Sequence, residues 1–232
     1  MINVLLWTVE SDYDASAVKN FTDSMIGDLA PNLRITVQGK QAYQRVAGHD
    51  MGLERAVINE LRIFNRVIFI YDRDSLTELQ ERKQQSRSFV SKIERLKENP
   101  EFSDRVFIHM AIEELEAWLL TDCLGIACYF LRGTYKKDAR KTITANRKLA
   151  KAVKKHQMAN TELVHDPKEY LVSFSQDLLK IAKPDIQKRD LSTRQYSERQ
   201  SPRVAEYLIL SNEALQRNRS LQKLGDRLRR DD

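Results

Sequence analysis

The chain has 232 residues, of which 41% are hydrophobic and 31% are charged, and it contains only seven Gly and five Pro. This composition excludes disordered, fibrous and low-complexity classes. No run approaches the roughly 18 apolar residues of a membrane span, and the first residues lack the basic start of a signal peptide. Because two cysteines make neither a four-ligand zinc site nor a secreted disulfide scaffold, we expect a cytoplasmic protein with no membrane partner.

Four short apolar runs in the first half of the chain predict buried strands. They are Asn3 to Val9, Leu33 to Gln38, Arg66 to Tyr71 and Arg105 to Met110. None alternates strictly between polar and apolar residues, which is typical of strands covered on both faces of a parallel sheet. Between the strands, apolar residues recur every three or four positions and predict helices. These helices are Ala15 to Leu29, Met51 to Phe64 and Leu76 to Lys97.

This alternation predicts an α/β domain over residues 1–125, with a mostly parallel sheet of about four strands flanked by helices. Residues 126–232 carry no further strand signal and are expected to form a basic, helical C-terminal region. Its predicted helices are Ala145 to His156, Pro167 to Ile181 and Pro202 to Gln216. A polar stretch from Lys188 to Arg203 predicts a loop, and the last nine residues predict a frayed end.

The basic charge is concentrated in one segment. Between Arg132 and His156, ten Lys or Arg residues stand against one acid, Asp138, so the segment carries about +9. The ten are Arg132, Lys136, Lys137, Arg140, Lys141, Arg147, Lys148, Lys151, Lys154 and Lys155. Such a strip is typical of a surface that binds the phosphates of DNA or RNA. A solvated helical face explains the same charge equally well.

Acidic residues follow three of the four predicted strands. Glu10 ends the first strand, Asp72 and Asp74 follow the third, and the fourth leads into Glu113 and Glu116. In open α/β sheets, ligands bind beyond the carboxyl ends of the strands, so these side chains are candidates for one shared site. Clustered carboxylates favour Mg²⁺ or Mn²⁺, and such an ion can activate water against a phosphodiester. The sequence therefore predicts a metal site of Glu10, Asp72 and Asp74.

Helix capping is the alternative explanation for these acids. Asp74 is well placed to cap the third helix, and acids in the first turn of a helix, such as Glu113 and Glu116, complement its dipole. Capping does not require Glu10 at the end of the first strand, nor two Asp residues spaced by one. The metal site is therefore the hypothesis that explains Glu10, Asp72 and Asp74 together.

The same residues carry a resemblance to a known family. The segment VESDYDA (Val9 to Ala15) and the later strand ending in Asp72-Arg73-Asp74 resemble the TOPRIM domain of topoisomerases, bacterial primases and overcoming-lysogenization-defect nucleases. The resemblance implies that Glu10 acts as general acid or base, that Asp72 and Asp74 bind metal, and that Asp14 matches the last acid of the first motif. TOPRIM proteins usually have Gly after the glutamate, where this chain has Ser11.

A narrower resemblance rests on three sequence segments, AIEELEAWLLTD (Ala111 to Asp122), HDPKEYL (His165 to Leu171) and SPR (Ser201 to Arg203). They are similar to the TOPRIM-like domain-of-unknown-function family 4276. This similarity implies an ATPase partner and a role in phage defence or mobile elements, and it matches Glu116 to that family's glutamate. The chain has no room for the strand-passage modules of a topoisomerase and lacks the cysteines of a primase zinc ribbon, so a nuclease is expected. A non-catalytic module that binds an ATPase or nucleic acid is the alternative, and a small phosphorylated substrate is a third.

The remaining polar candidates have more ordinary explanations. His49 and Asp50 lie in a Gly-flanked segment and are expected in a loop, His109 is expected inside the fourth strand, and His156 and His165 are expected at the surface. The expected core residues are Trp7, Trp118, Cys123 and Cys128.

Overall fold

A computed structural model of the chain describes residues 1–26, 32–47, 52–73, 76–85, 88–102, 104–134 and 139–229. These residues form two compact units. Unit 1 is Met1–Ile112 together with the chain from Lys223 onward, and unit 2 is Glu113–Gln222. Unit 2 begins at Glu113, and the helix that starts at Glu116 contacts later helices of that unit.

Unit 1 has the α/β architecture that the sequence predicts. Its elements up to Ile112 are β1 (Ile2–Thr8), α1 (Asp12–Ile26), β2 (Leu33–Gln38), α2 (Lys40–Ala47), α3 (Gly52–Glu60), β3 (Arg66–Asp72), α4 (Leu76–Gln84), α5 (Phe89–Glu98) and β4 (Val106–Ala111). The strands form one sheet in the order β2-β1-β3-β4, and every neighbouring pair is parallel. The predicted fold class is confirmed.

Helices cover both faces of the sheet. Successive side chains of a strand point to opposite faces, so each face packs its own set of side chains against helices. One core cluster joins Trp7 of β1 and Phe69 of β3 with buried residues of α2, α3, α4 and α5. In this cluster the Trp7 and Phe69 rings stack with centroids 5.5 Å apart. The buried residues of α1, such as Phe21, lie outside this cluster, and α1 contacts β1 and β2.

The strand order places a topological switch point between β1 and β3. From β1 the chain crosses to β2 on one side, and it later returns to β3 on the other side. In open α/β sheets the crevice beyond the carboxyl ends of two such strands is the usual ligand site. In this chain the crevice lies beyond Thr8 and Asp72, where the sequence predicts the metal site.

Unit 2 is helical. Its elements are α6 (Glu116–Leu119), a 3₁₀ turn (Leu120–Asp122), α7 (Cys123–Leu131), α8 (Ala139–Ala145), α9 (Arg147–His156), a 3₁₀ turn (Thr161–Leu163), α10 (Pro167–Ala182), α11 (Lys188–Arg194), a 3₁₀ turn (Glu198–Gln200), α12 (Ser201–Ala205), α13 (Asn212–Gln216) and the start of α14 (Arg219–Arg229). Asp166 caps α10, with Pro167 in its first turn as predicted. No helix in the described part of the chain is long and apolar enough to cross a membrane.

Several predicted boundaries are wrong for identifiable reasons. The helix expected over Leu76 to Lys97 is two helices, because Ser88 caps a new one through the N–H of Ser91. Helix α2 was not predicted, and α11 lies in the stretch expected to be a loop. The segment expected over Pro202 to Gln216 is also two helices, α12 and α13. The expected frayed end is largely helical, since α14 buries Leu224 and Leu228.

Candidate functional site

Glu10 and Asp72 meet at the switch point. Glu10 lies two residues after β1, and its Oε2 accepts a hydrogen bond of 2.9 Å from the backbone N–H of Asp72 at the end of β3. Its other carboxylate oxygen, Oε1, accepts a hydrogen bond of 3.0 Å from Nη1 of Arg82 on α4. The structure therefore places the Glu10 carboxylate against the backbone of Asp72 at the end of the third strand, and it adds a cation, Arg82, that the sequence did not single out.

A local hydrogen-bond pattern fixes the turn that carries Glu10. The Oγ of Ser11 accepts the N–H groups of Tyr13 at 3.0 Å and Asp14 at 3.3 Å, as an N-cap of α1 does. The hydroxyl of Thr8 lies 3.4 Å from the carbonyl oxygen of Ser11. Ser11, where TOPRIM proteins usually have Gly, therefore starts α1 and leaves Glu10 directed at β3. Asp14 lies in the first turn of α1, where a carboxylate complements the helix dipole.

Asp12 and Gly39 fix the neighbouring end of β2. Oδ1 of Asp12 accepts a hydrogen bond of 3.1 Å from the N–H of Gln41, which lies in the first turn of α2. A Cβ added at Gly39 would lie 2.3 Å from that oxygen. Only glycine therefore fits between β2 and α2 without a shift, and this close approach ties the start of α1 to the start of α2.

The electrostatics at the end of β3 are those of an acidic edge. The side chain of Tyr71, which precedes Asp72, is 2% exposed. Burial, followed by the negative charges of Glu94 and Glu10, raises the pKa of the Tyr71 hydroxyl far above its ordinary value, and Arg82 partly offsets this effect. Burial is therefore the main cause of this pKa shift, and the two carboxylates add to it.

Asp74 lies outside the described residues, as do His49 and Asp50. Within the ranges that the structure describes, no three His, Cys, Asp or Glu side chains are grouped closely enough to hold a metal ion. Of the three predicted metal ligands, the structure describes Glu10 and Asp72, and Asp74 lies outside the described residues.

Glu113 and Glu116 belong to unit 2 and have partners there. Glu113 has a positive φ of 65°, and its Oε2 lies 4.0 Å from Nδ1 of His165. Glu116 is 6% exposed and accepts a hydrogen bond of 2.9 Å from the hydroxyl of Tyr196, which also meets Oγ of Ser201 at 2.6 Å. Burial raises the pKa of Glu116 from its ordinary 4.5, and the Tyr196 hydrogen bond partly opposes that rise.

These contacts give a structural role to two of the three segments that resemble family 4276. Glu116 lies in the first segment and Ser201 in the third, and the hydroxyl of Tyr196 contacts both side chains. The three side chains link the start of α6 to the start of α12 in a buried network. Removing one partner of such a network leaves a buried polar group unpaired, so the network specifies how these helices pack.

The basic strip divides into residues held by the protein and residues that face solvent. Nη2 of Arg140 lies 2.5 Å from Oδ2 of Asp122 and 2.8 Å from the carbonyl oxygen of Tyr207. The guanidinium of Arg132 lies over the ring of Tyr129, 3.8 Å from its centroid. Lys141 is exposed on α8, whereas Lys136 and Lys137 lie outside the described residues.

Helix α9 carries the solvent-facing part of the strip. Its side chains Arg147, Lys148, Lys151, Lys154 and Lys155 are exposed, whereas Leu149, Ala152 and His156 are buried. The spacing of the five cations puts them on one helical face. We call these five residues the α9 basic face. Lys155, at its end, lies 3.8 Å from Asp177.

The surface position expected for His156 is wrong. Its ring stacks on Phe174 with centroids 4.5 Å apart, and its nitrogens lie 3.1 Å from the Tyr170 hydroxyl and 3.4 Å from Oδ2 of Asp177. The imidazole therefore seats the end of α9 on α10. Other expectations are confirmed. His165 is exposed, and burial is found, as expected, for His109, Trp7, Trp118, Cys123 and Cys128.

Arg82 is the functional candidate that sequence reasoning missed. It is one of 39 basic residues, and no motif marks it. The available signal was its place on the first helix after the Asp72 strand, since that helix leaves the same sheet edge. The contact with Glu10 depends on how α4 packs, which only the structure supplies.

Comparison of the chain with family models, with curated proteins and with solved structures finds no match in any of the three. The likeness to TOPRIM proteins therefore rests on the residues that carry it. The geometry of Glu10 and Asp72 stands independently of that likeness.

Proposed function

We propose that the protein hydrolyses phosphodiester bonds of nucleic acid with a divalent metal ion at the edge formed by β1 and β3. The observation that carries the proposal is the 2.9 Å hydrogen bond between the Glu10 carboxylate and the Asp72 amide. It supports the joint action of two acids 62 positions apart in the sequence. Their place at the switch point of a parallel sheet is the place where such folds bind ligands.

The side chains fit the ion that the proposal requires. Glu10 and Asp72 offer carboxylate oxygens, which Mg²⁺ and Mn²⁺ prefer over nitrogen or sulfur ligands. Asp74 is expected to join them. When bound, the ion would lower the pKa of a coordinated water and polarise the phosphate.

Glu10 is the proton carrier in this proposal. Its side chain is 21% exposed, so water reaches it, and the Asp72 amide and Arg82 fix both of its oxygens. A carboxylate held in this way can take a proton from the attacking water and return it to the leaving oxygen. Asp72, at the end of a buried strand, holds its position through the sheet rather than through a loop.

The α9 basic face is the proposed contact for the nucleic-acid backbone. Arg147 and Lys155 are eight residues apart, or about 12 Å along a helix. One strand of a duplex presents a phosphate about every 3.4 Å, so the face spans about three or four phosphates. Arg140 and Arg132 contribute to the fold of unit 2, so the α9 basic face is expected to supply most of the phosphate contacts.

A cleavage assay tests the activity. The purified chain is incubated with single- and double-stranded DNA and RNA and with Mg²⁺ or Mn²⁺, and Asp72→Asn is compared with Asp23→Asn. Asp23 is an exposed acid that pairs with Lys19 on α1, so its loss should leave cleavage unchanged. We expect Asp72→Asn to lower the rate by about 100-fold or more, the scale of losing a group that stabilises the transition state. Cleavage that is insensitive to Asp72→Asn would overturn the proposal.

A second function is favoured by one observation. Both Glu10 oxygens already have partners in the protein, Arg82 and the Asp72 amide, as in a TOPRIM-like edge that has lost its metal. In that case the chain is a non-catalytic module that binds nucleic acid or an ATPase partner. Such a module should bind no Mn²⁺, and Asp72→Asn should not change its affinity for nucleic acid.

A further inference from the structure

Arg82 is positioned by its own helix rather than by Glu10 alone. Leu79, one turn earlier on α4, is buried in the core cluster beside the sheet. The carbonyl oxygen of Arg82 accepts a hydrogen bond from the hydroxyl of Ser88, the cap of α5. The guanidinium lies 5.7 Å from the centroid of the Phe89 ring. The backbone and the stem of Arg82 are therefore fixed at the candidate site before any ligand arrives.

Arg82 is partly accessible to solvent. Its side chain is 31% exposed, and Nη1 is the atom that contacts Glu10. Nη1 donates the hydrogen bond to Oε1 of Glu10, and a guanidinium holds its N–H donors in one plane. The planar fork of a guanidinium fits the oxygens of a phosphate better than any other side chain does.

An anionic substrate needs a positive group beside the two acids of the edge. The carboxylates of Glu10 and Asp72 would repel an approaching phosphate. Arg82 is a positive group at this place, with its Nη1 3.0 Å from Oε1 of Glu10. Its guanidinium would therefore attract the phosphate.

We propose that Arg82 is a catalytic residue that binds a non-bridging oxygen of the scissile phosphate and that Glu10 holds it in place when no substrate is bound. This inference rests on the proposed hydrolysis. In that reaction the oxygen of water forms a bond to phosphorus and its proton passes to Glu10. The bond from phosphorus to the leaving oxygen breaks, and that oxygen takes the proton from Glu10. Arg82 stays protonated and stabilises the charge that grows on the phosphate oxygens.

A purely structural ion pair is the competing explanation, and Lys83 provides a matched control. Lys83 is the next residue on α4, and its Nζ makes a 2.9 Å ion pair with Glu94. Both pairs tie α4 to neighbouring elements, but only the pair of Arg82 involves Glu10. If Arg82 acts only through packing, Arg82→Ala and Lys83→Ala should have similar effects.

The experiment measures cleavage and Mn²⁺ binding in the full chain for Arg82→Ala, Arg82→Lys, Lys83→Ala and Asp72→Asn. We expect Arg82→Ala to lower kcat by about 100-fold, as for loss of one oxyanion donor, with Arg82→Lys between it and the unaltered protein and Lys83→Ala unchanged. In a calorimetric titration with Mn²⁺ alone, Arg82→Ala should bind as tightly as the unaltered protein or more tightly, because a competing cation is gone.

The outcomes separate the two proposals. If the unaltered protein cleaves, Asp72→Asn does not, and Arg82→Ala cleaves within threefold of the unaltered rate, the assignment of Arg82 is overturned and the proposed function survives. Weaker Mn²⁺ binding by Arg82→Ala would also overturn it, since Arg82 would then support the metal site. Absence of cleavage by the unaltered protein, or cleavage independent of Asp72, would overturn both.

Discussion

The carboxylate of Glu10 accepts a hydrogen bond from the amide of Asp72 at 2.9 Å, although 62 positions separate the two residues. The contact follows from parallel topology, because β1 and β3 are hydrogen-bonded neighbours and their carboxyl ends lie at one edge. The cap of α1 by Ser11 then sets the turn from which Glu10 reaches β3. The candidate site is therefore a consequence of the sheet rather than of a flexible loop.

Gly39→Ala should destabilise the protein. The added Cβ would lie 2.3 Å from Oδ1 of Asp12 and 3.2 Å from the Cβ of Ala15, so the Asp12 carboxylate would have to turn away from the N–H of Gln41. Overpacking of this kind costs about 1–3 kcal/mol. The measurement is the free energy of unfolding in urea. Gly133→Ala is the control, because its Cβ would meet nothing within 4 Å, and an equal loss in both variants would contradict the prediction.

Replacement of Lys148, Lys151 and Lys155 by Gln should weaken the binding of nucleic acid and flatten its salt dependence. Removal of one lysine–phosphate interaction reduces the slope of log K against log salt by about 0.7 to 0.9. Fluorescence anisotropy at several salt concentrations gives this slope. The control replaces three exposed lysines elsewhere in unit 2, Lys180, Lys183 and Lys188, with the same change in charge. Equal slopes for the two triple variants would show that only net charge matters.

Glu116→Gln should change how stability depends on pH. Burial raises the pKa of Glu116 in the folded protein above its ordinary 4.5. The folded state therefore binds more protons than the unfolded state above pH 4.5, and stability falls as pH rises through the raised pKa. The variant should lack this fall while keeping an acceptor for Tyr196. The exposed residue Glu206 supplies the control, Glu206→Gln, which should follow the unaltered protein.

Urea unfolding from pH 4.5 to neutral pH measures this difference. A gap between Glu116→Gln and the unaltered protein that widens with pH is the expected result. Parallel curves for all three proteins would show that Glu116 titrates in the folded protein as it does in the unfolded chain.

The sheet, and the neighbouring positions of the ends of β1 and β3, were predictable from sequence. Apolar runs without alternation identified β1 to β4 to within about two residues at each end. The rule that ligands bind beyond strand ends then selected Glu10 and Asp72. Both inferences use features that are local to the strands. Helix α2 was not predicted because its eight residues are fewer than the window over which a helical period is judged, although Tyr43 and Ala47 lie on one buried face.

Contacts between distant elements could not be predicted. Arg82 meets Glu10 because α4 packs on the sheet, and Arg140 meets Asp122 because α8 packs against α7. His156 is buried because α10 presents Phe174 to it. In each case the partner is set by tertiary packing, and the charge of the residue alone favours exposure. Periodicity indicates which face of α9 is apolar, but not what covers it.

A crystal grown with Mn²⁺ tests the central claim most directly, because anomalous scattering locates the ion independently of activity. The account predicts one Mn²⁺ at the β1–β3 edge, with oxygens of Glu10 and Asp72 both about 2.1 Å from it, and no ion there in Asp72→Asn. An edge without Mn²⁺ in well-diffracting crystals, or an ion bound by neither Glu10 nor Asp72, would contradict it.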